Sequence, residues 1–179
     1  MGDAGESLGT AQTPVGSGAL ETIFGSLLGD ADIYAIFIDN PAGFSAKTSG
    51  NSTTADTQLF LFDSSGMGIT HNDDDPNAAG LQSAITGQFV PGAGVYYLAV
   101  SNYNYDPQSA GGAIWANSPF NVERQPDGPG AGSPLSSWSG TAFSDGAYEI
   151  NLRGASFVPA PGALALLGLG GLAATRRRR

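Results

Sequence analysis

Cysteine is absent from all 179 residues, which excludes disulfides, thiolate metal sites and cysteine nucleophiles. Positive charge is nearly as scarce. Seven Lys and Arg side chains stand against 16 Asp and Glu, and four of the seven are the terminal Arg176, Arg177, Arg178 and Arg179. With those four set aside, the formal charge of −9 becomes −13, and the remaining cations are Lys47, Arg124 and Arg153. Nucleic-acid affinity is assembled from Lys and Arg that neutralise phosphates, so DNA and RNA are excluded as partners. Docking of so acidic a body on an anionic leaflet is excluded on the same ground. Histidine occurs once, as His71, beside an acidic stretch, and no G-x-S-x-G elbow, phosphate loop, dinucleotide fingerprint or zinc-ligand spacing is present. A carboxylate pair of the kind glycosidases use would arise by chance among 16 acids and carries no weight. The chain reads as noncatalytic, with a secreted hydrolase as the remote alternative.

What is abundant is glycine (27) and proline (11), with 41% hydrophobic and only 13% charged residues. That mix suits a loop-rich all-β protein, because turns use glycine and proline and helix interiors reject them. Four runs read as strands, at 33–38 (IYAIFI), 58–63 (QLFLFD), 94–101 (GVYYLAVS) and 146–152 (GAYEINL). Each is a short β-branched and aromatic run closed by turn residues. Residues 67–70 follow a Ser64-Ser65-Gly66 turn as a hairpin partner, and 20–24, 44–48 and 81–86 are weaker candidates. The expectation is an antiparallel β-sandwich, jelly-roll-like, occupying residues 1–157 as one domain. Residues 106–145 form a long Gly/Pro-rich loop before the last strand. Its aromatics Trp115, Phe120, Trp138 and Phe143 are expected to pin it to the sandwich.

Residues 158–179 read as a separate tail. Gly162 to Thr175 is uncharged and apolar on all sides, and four arginines follow without interruption. As a helix this stretch would span about 21 Å at ~1.5 Å per residue, short of a hydrocarbon core of about 30 Å. It is therefore a short transmembrane helix suited to a temporary anchor, with the arginines on the cytoplasmic side and the body outside. The order of proline motif, hydrophobic helix and arginine cluster resembles the PEP-CTERM sorting signal. The motif is Val158, Pro159, Ala160, Pro161, Gly162 and Ala163, with Ala160 where the eponymous glutamate would stand. The resemblance implies an exosortase-type enzyme as partner, transient residence in the inner membrane, cleavage near the motif, and release to the cell surface or extracellular matrix. Residues 1–6 (MGDAGE) lack the basic and apolar regions of a signal peptide. The expectation is that an export leader has been removed or lies upstream.

The body carries a second resemblance. Asp30-x-Asp32-x-Tyr34, then residues 59–63 (LFLFD) with Gly66, then Asn72-Asp73-Asp74, then 94–100 (GVYYLAV) occur in one order. In that order they resemble the bacterial pre-peptidase C-terminal domain, over roughly residues 3–105, with 148–152 as a closing strand. The resemblance implies a small noncatalytic sandwich with substrate- or matrix-binding roles, sometimes with Ca²⁺, and it carries over no protease activity. Asp73-Asp74-Asp75 is the densest acidic cluster. Neighbouring loop carboxylates supply the hard oxygens that Ca²⁺ takes, so Asp73, Asp74 and Asp75 are candidate ligands, with Asp56, Asp63 or Asp106 as further donors. The EF-hand spacing is missing, and a solvated turn whose carboxylates cap backbone amides is the alternative. No other cofactor is indicated. Tyr96, Tyr97, Tyr103, Tyr105, Trp115 and Trp138 are candidates for a sugar-stacking face on extracellular polysaccharide, against a role in packing. Strand alternation sends one of Tyr96 and Tyr97 inward.

Overall fold

The computed structural model describes residues 4–160 and is all-β and antiparallel, a two-sheet sandwich. The eleven strands are β1 (Thr22–Leu27), β2 (Ala31–Ile38), β3 (Ser45–Lys47), β4 (Thr57–Asp63), β5 (Gly68–Asn72), β6 (Ala84–Thr86), β7 (Gly94–Ser109), β8 (Gly112–Ala113), β9 (Leu135–Phe143), β10 (Gly146–Arg153) and β11 (Ala155–Ser156). One sheet runs β1-β10-β3-β6. The other runs β11-β2-β7-β4-β5, with β8 and β9 paired to β7. All four strong strand expectations are met, and so are the hairpin of β4 with β5 and the weaker candidates at β1, β3 and β6. The turn between β4 and β5 is made by Asp63. Its Oδ1 accepts from Ser65 N (2.8 Å), Ser65 Oγ (2.7 Å) and Met67 N (3.0 Å).

The unbroken apolar runs have a structural cause. In β2, β4 and β7, alternate residues face opposite sides, and both sides are buried. Tyr34, Ile36, Ile38, Leu59, Leu61, Leu98 and Val100 face the other sheet and pack on Ile23, Leu27, Ala46, Ile85, Tyr148, Ile150 and Leu152. Ile33, Phe60, Phe62 and Ala99 face outward and are covered by Ile114 and Trp115, with Tyr97, Leu135 and Trp138 around them. A strand buried on both faces has no polar side, so its sequence does not alternate. Within the main core Tyr148 Oη donates to Asp32 Oδ2 (2.5 Å) and meets Tyr34 Oη (2.5 Å). The ring lies over Gly25, where an added Cβ would come within 2.1 Å of Tyr148 Oη. Glycine at 25 is what lets the tyrosine reach its partners.

Residues 106–145 are the cover over the outer face. The expectation of a long packed loop is corrected in one respect, because β7 continues to Ser109 and pairs with β9 and β8. The register shifts between Tyr103 and Tyr105. Asn104 lies at φ 62°, and opposite it Gly140 sits at φ 123° with the Asn104 carbonyl where a Cβ would be. Of the four aromatics expected to pin this segment, two do so. Trp115 is buried against Phe60 and Phe62, and Trp138 donates its Nε1 proton to the Glu6 carbonyl (2.8 Å). Phe120 and Phe143 remain about half exposed. Glu123 ties the segment to the sheets, accepting from Thr70 Oγ1 (3.1 Å), Thr86 N (2.8 Å) and Thr86 Oγ1 (2.7 Å).

β10, which contains the expected closing strand 148–152, sits between β1 and β3 inside its sheet. The hydrophobic tail helix, Pro161, Gly162, Ala163 and the four arginines lie outside the described residues. Among the described residues no helix is long and apolar enough to cross a membrane.

Candidate metal centre

β4 begins just after Asp56, and β5 ends just before Asp73. The two strands are hydrogen-bonded neighbours, so the hairpin brings its open end together and sets Asp56 beside Asp73-Asp74. One carboxylate oxygen from each of Asp56, Asp73 and Asp74 lies within 4.8 Å of the other two. Asp73 is the most enclosed, only 4% exposed, and no hydrogen-bond donor reaches its Oδ1. Asp56 Oδ1 is sealed and without a donor as well. Buried carboxylate oxygens left without donors are costly, and the half-buried Asp74 carboxylate converging on these two raises the cost.

The electrostatics follow from that geometry. Burial, then the charges of Asp74, Asp56 and Asp106, push the Asp73 carboxyl up to about 7, with Arg124 opposing. Burial and Asp74 push Asp56 up to about 6. Burial alone raises Asp74. Such carboxylates are ionised at neutral pH only at a cost, and a divalent cation among them removes that cost.

The three acids form the floor of a pocket of about 300 Å³ whose remaining walls are Leu81, Tyr103 and Phe120. Each wall is held by a main-chain bond at or beside the acidic floor. The Phe120 carbonyl accepts from Asp73 N (3.3 Å) and Asp74 N (3.1 Å), Tyr103 N donates to the Asp56 carbonyl (2.9 Å), and Thr57 N donates to the Leu81 carbonyl (3.2 Å). Behind Phe120, the buried Arg124 guanidinium shapes the loop through Asp127 Oδ2 (2.7 Å), the Ser118 carbonyl (3.1 Å) and the Ala116 carbonyl.

The other sequence candidates lie elsewhere. The Asp75 carboxylate turns away from the cluster, accepting from Ser49 Oγ (2.6 Å) and Asn77 N (2.9 Å) and pairing with Lys47 Nζ (3.7 Å). Asp63 is occupied by its turn. Asp106 accepts from Gln58 Nε2 (3.1 Å) and contributes charge to Asp73 without joining the three. His71 is buried, stacked on Phe60 at 4.6 Å and beside Trp115 at 5.7 Å. Burial, then Arg124, holds its imidazole at about 3, so it is neutral. The aromatic candidates do not form one face. Tyr96 and Trp115 are in the two cores, Tyr103 is at the acidic pocket, and Tyr105 stacks on Trp138 at 5.9 Å in a different pocket. Sequence reasoning missed Asn102, which pairs across from Thr57 and has a sealed Oδ1 without a donor. A single asparagine inside a strand gives no signal in the sequence.

Fold and site together define a two-sheet β module with an acid-floored, aromatic-rimmed pocket. The family model of the bacterial pre-peptidase C-terminal domain matches residues 22–102. That segment contains Asp56, Asp73 and Asp74 and ends one residue short of Tyr103. It stops before Phe120, and before β10, which bridges two strands of the matched segment. No curated protein matches the chain.

Proposed function

We propose that this chain is a noncatalytic, exported β-sandwich module, jelly-roll-like in its wrapping, that holds a divalent cation at Asp56, Asp73 and Asp74. On this reading an exosortase-type enzyme delivers it to the cell surface or matrix through a C-terminal hydrophobic helix. The observation that carries the cation reading is the enclosed Asp73 carboxylate, whose Oδ1 has no donor and which meets two further carboxylates. Three carboxylate oxygens within 4.8 Å of one another need only small side-chain adjustments to share one ion at the ~2.3–2.6 Å that calcium takes. The donor set is all hard oxygen, so Ca²⁺ fits better than zinc or copper. The noncatalytic reading is supported by the enclosure of the only histidine in an aromatic stack. The delivery reading is supported by the tail's order of motif, apolar stretch and arginines.

Titration calorimetry of the metal-stripped protein with calcium chloride is expected to give one saturable site, weakened about tenfold or more by Asp73→Asn, the equivalent of about 1.4 kcal/mol. Absence of heat together with an unchanged melting temperature would remove the cation reading. For delivery, mass spectrometry of the surface-released protein is expected to find no peptide beyond the Val158-Pro159 region. An intact arginine terminus on that protein would count against sorting.

A further inference from the structure

The three carboxylates do not complete a calcium shell. Calcium takes about six to eight oxygens, and even with one carboxylate bidentate two or more positions are left. Those positions open into the pocket of about 300 Å³, and the pocket's upper walls are not polar. Leu81 is 53% exposed, Tyr103 39% and Phe120 51%, the last two presenting rings to solvent beside the acidic floor. Tyr103 is backed by Phe143, ring centres 6.4 Å apart, and Phe120 is fixed by the two amides that its carbonyl receives from Asp73 and Asp74. The rim and the floor are therefore one built unit.

Resting on the cation reading above, we propose that the ion at Asp56, Asp73 and Asp74 is a bridge to a neutral glycan. Two vicinal hydroxyls of one sugar fill the open coordination positions, and the apolar face of the ring lies against Tyr103 or Phe120. Hydroxyl oxygens are hard donors of the kind calcium accepts, and aromatic faces supply rigid apolar area at little entropic cost. A cavity of about 300 Å³ is large enough for one sugar ring. The ligand is neutral and not a uronate, because three carboxylates around one divalent ion leave the site negative within a body of formal charge −13 outside the terminal arginines.

The test titrates calcium-loaded protein with methyl glycosides, among them methyl α-D-mannopyranoside and methyl β-D-galactopyranoside for cis diols and methyl β-D-glucopyranoside for trans diols. Binding is followed through the ring resonances of Tyr103 and Phe120. Saturable shifts at millimolar glycoside that vanish in EDTA and return with calcium are expected. Tyr103→Ala and Phe120→Ala, which keep the main-chain bonds to the floor, are compared with the parent protein at saturating calcium, and at least one of them is expected to weaken the glycoside about tenfold. Calcium binding with no shift from any of the glycosides overturns the glycan bridge and leaves the cation reading standing. Glycoside binding that persists in EDTA overturns the bridge as well. Failure of calcium to bind removes both.

Discussion

Asp73 and Asp75 are two residues apart and meet opposite surroundings. At Asp75 burial pushes the carboxyl up, but Ser49, Asn77 and Lys47 together outweigh it and the group ends below the usual carboxylate range. At Asp73 burial and three neighbouring acids act in the same direction, and only Arg124 opposes them. Asp75 therefore supports the fold, and Asp73 depends on something added to it. Asp75→Asn is expected to lower stability by about 1–3 kcal/mol, the cost of weakening hydrogen bonds to a buried charged acceptor, and to leave the calcium titration unchanged. Denaturant melts beside calorimetry check this, and loss of calcium affinity in a folded Asp75→Asn protein would place that residue in the site after all. The acidic run was legible in the sequence as a cluster, with Asp56 among its further donors. Which of its members face one another was not legible, because adjacent side chains in a turn diverge and their partners, Ser49 and Lys47, lie far off in the chain.

The element that the sequence described least well is the segment from β8 to β9. Its residues 135–143 (LSSWSGTAF) are largely exposed and small, so the strand is held by main-chain pairing to β7 and not by an alternating apolar face. Periodicity has nothing to register in such a strand. The strands of the main core were legible for the converse reason: burial on two faces left runs of apolar residues with turns at both ends. Burial of those runs on both faces requires a cover for the outer face, and Trp115 is the centre of that cover. Its ring lies 5.4 Å from Phe60, 5.6 Å from Phe62 and 5.7 Å from His71, and its Nε1 donates to the Arg124 carbonyl (3.3 Å). Trp115→Ala is expected to cost about 3–5 kcal/mol, as for other large-to-small core changes. If the melt of Trp115→Ala matches that of the parent protein, the segment is an ornament on the sandwich and not part of its core.

For the whole molecule, the enclosed acids and the enclosed imidazole make stability depend on pH in a way that calcium should invert. Asp73 at about 7 and Asp56 at about 6 stand above the ordinary carboxylate value of 3.8. Between those values the metal-free folded chain binds protons that the unfolded chain does not, so stability is present at low pH and lost as pH rises through 6 and 7. His71, at about 3 against an ordinary 6.5, has the opposite sign. The unfolded chain takes its proton first, and stability falls as pH drops below 6.5. The groups facing these sites are Asp74 and Asp106, both raised by burial, and Arg124, which lowers Asp73 and His71 alike. Two raised carboxylates outweigh one imidazole, so in EDTA the protein should melt at a higher temperature near pH 5.5 than near pH 8. Saturating calcium reverses the order. The ion binds the ionised carboxylates of the folded state and adds about 2.7 kcal/mol at a hundredfold excess over its dissociation constant, an increment that proton competition removes as pH falls. Scanning calorimetry at the two pH values, with and without calcium, reads the crossing directly, and Asp73→Asn should remove most of it. A metal-free protein that melts higher near pH 8 than near pH 5.5 would mean that the three carboxylates are not held together in solution, and the cation site would lose its physical basis.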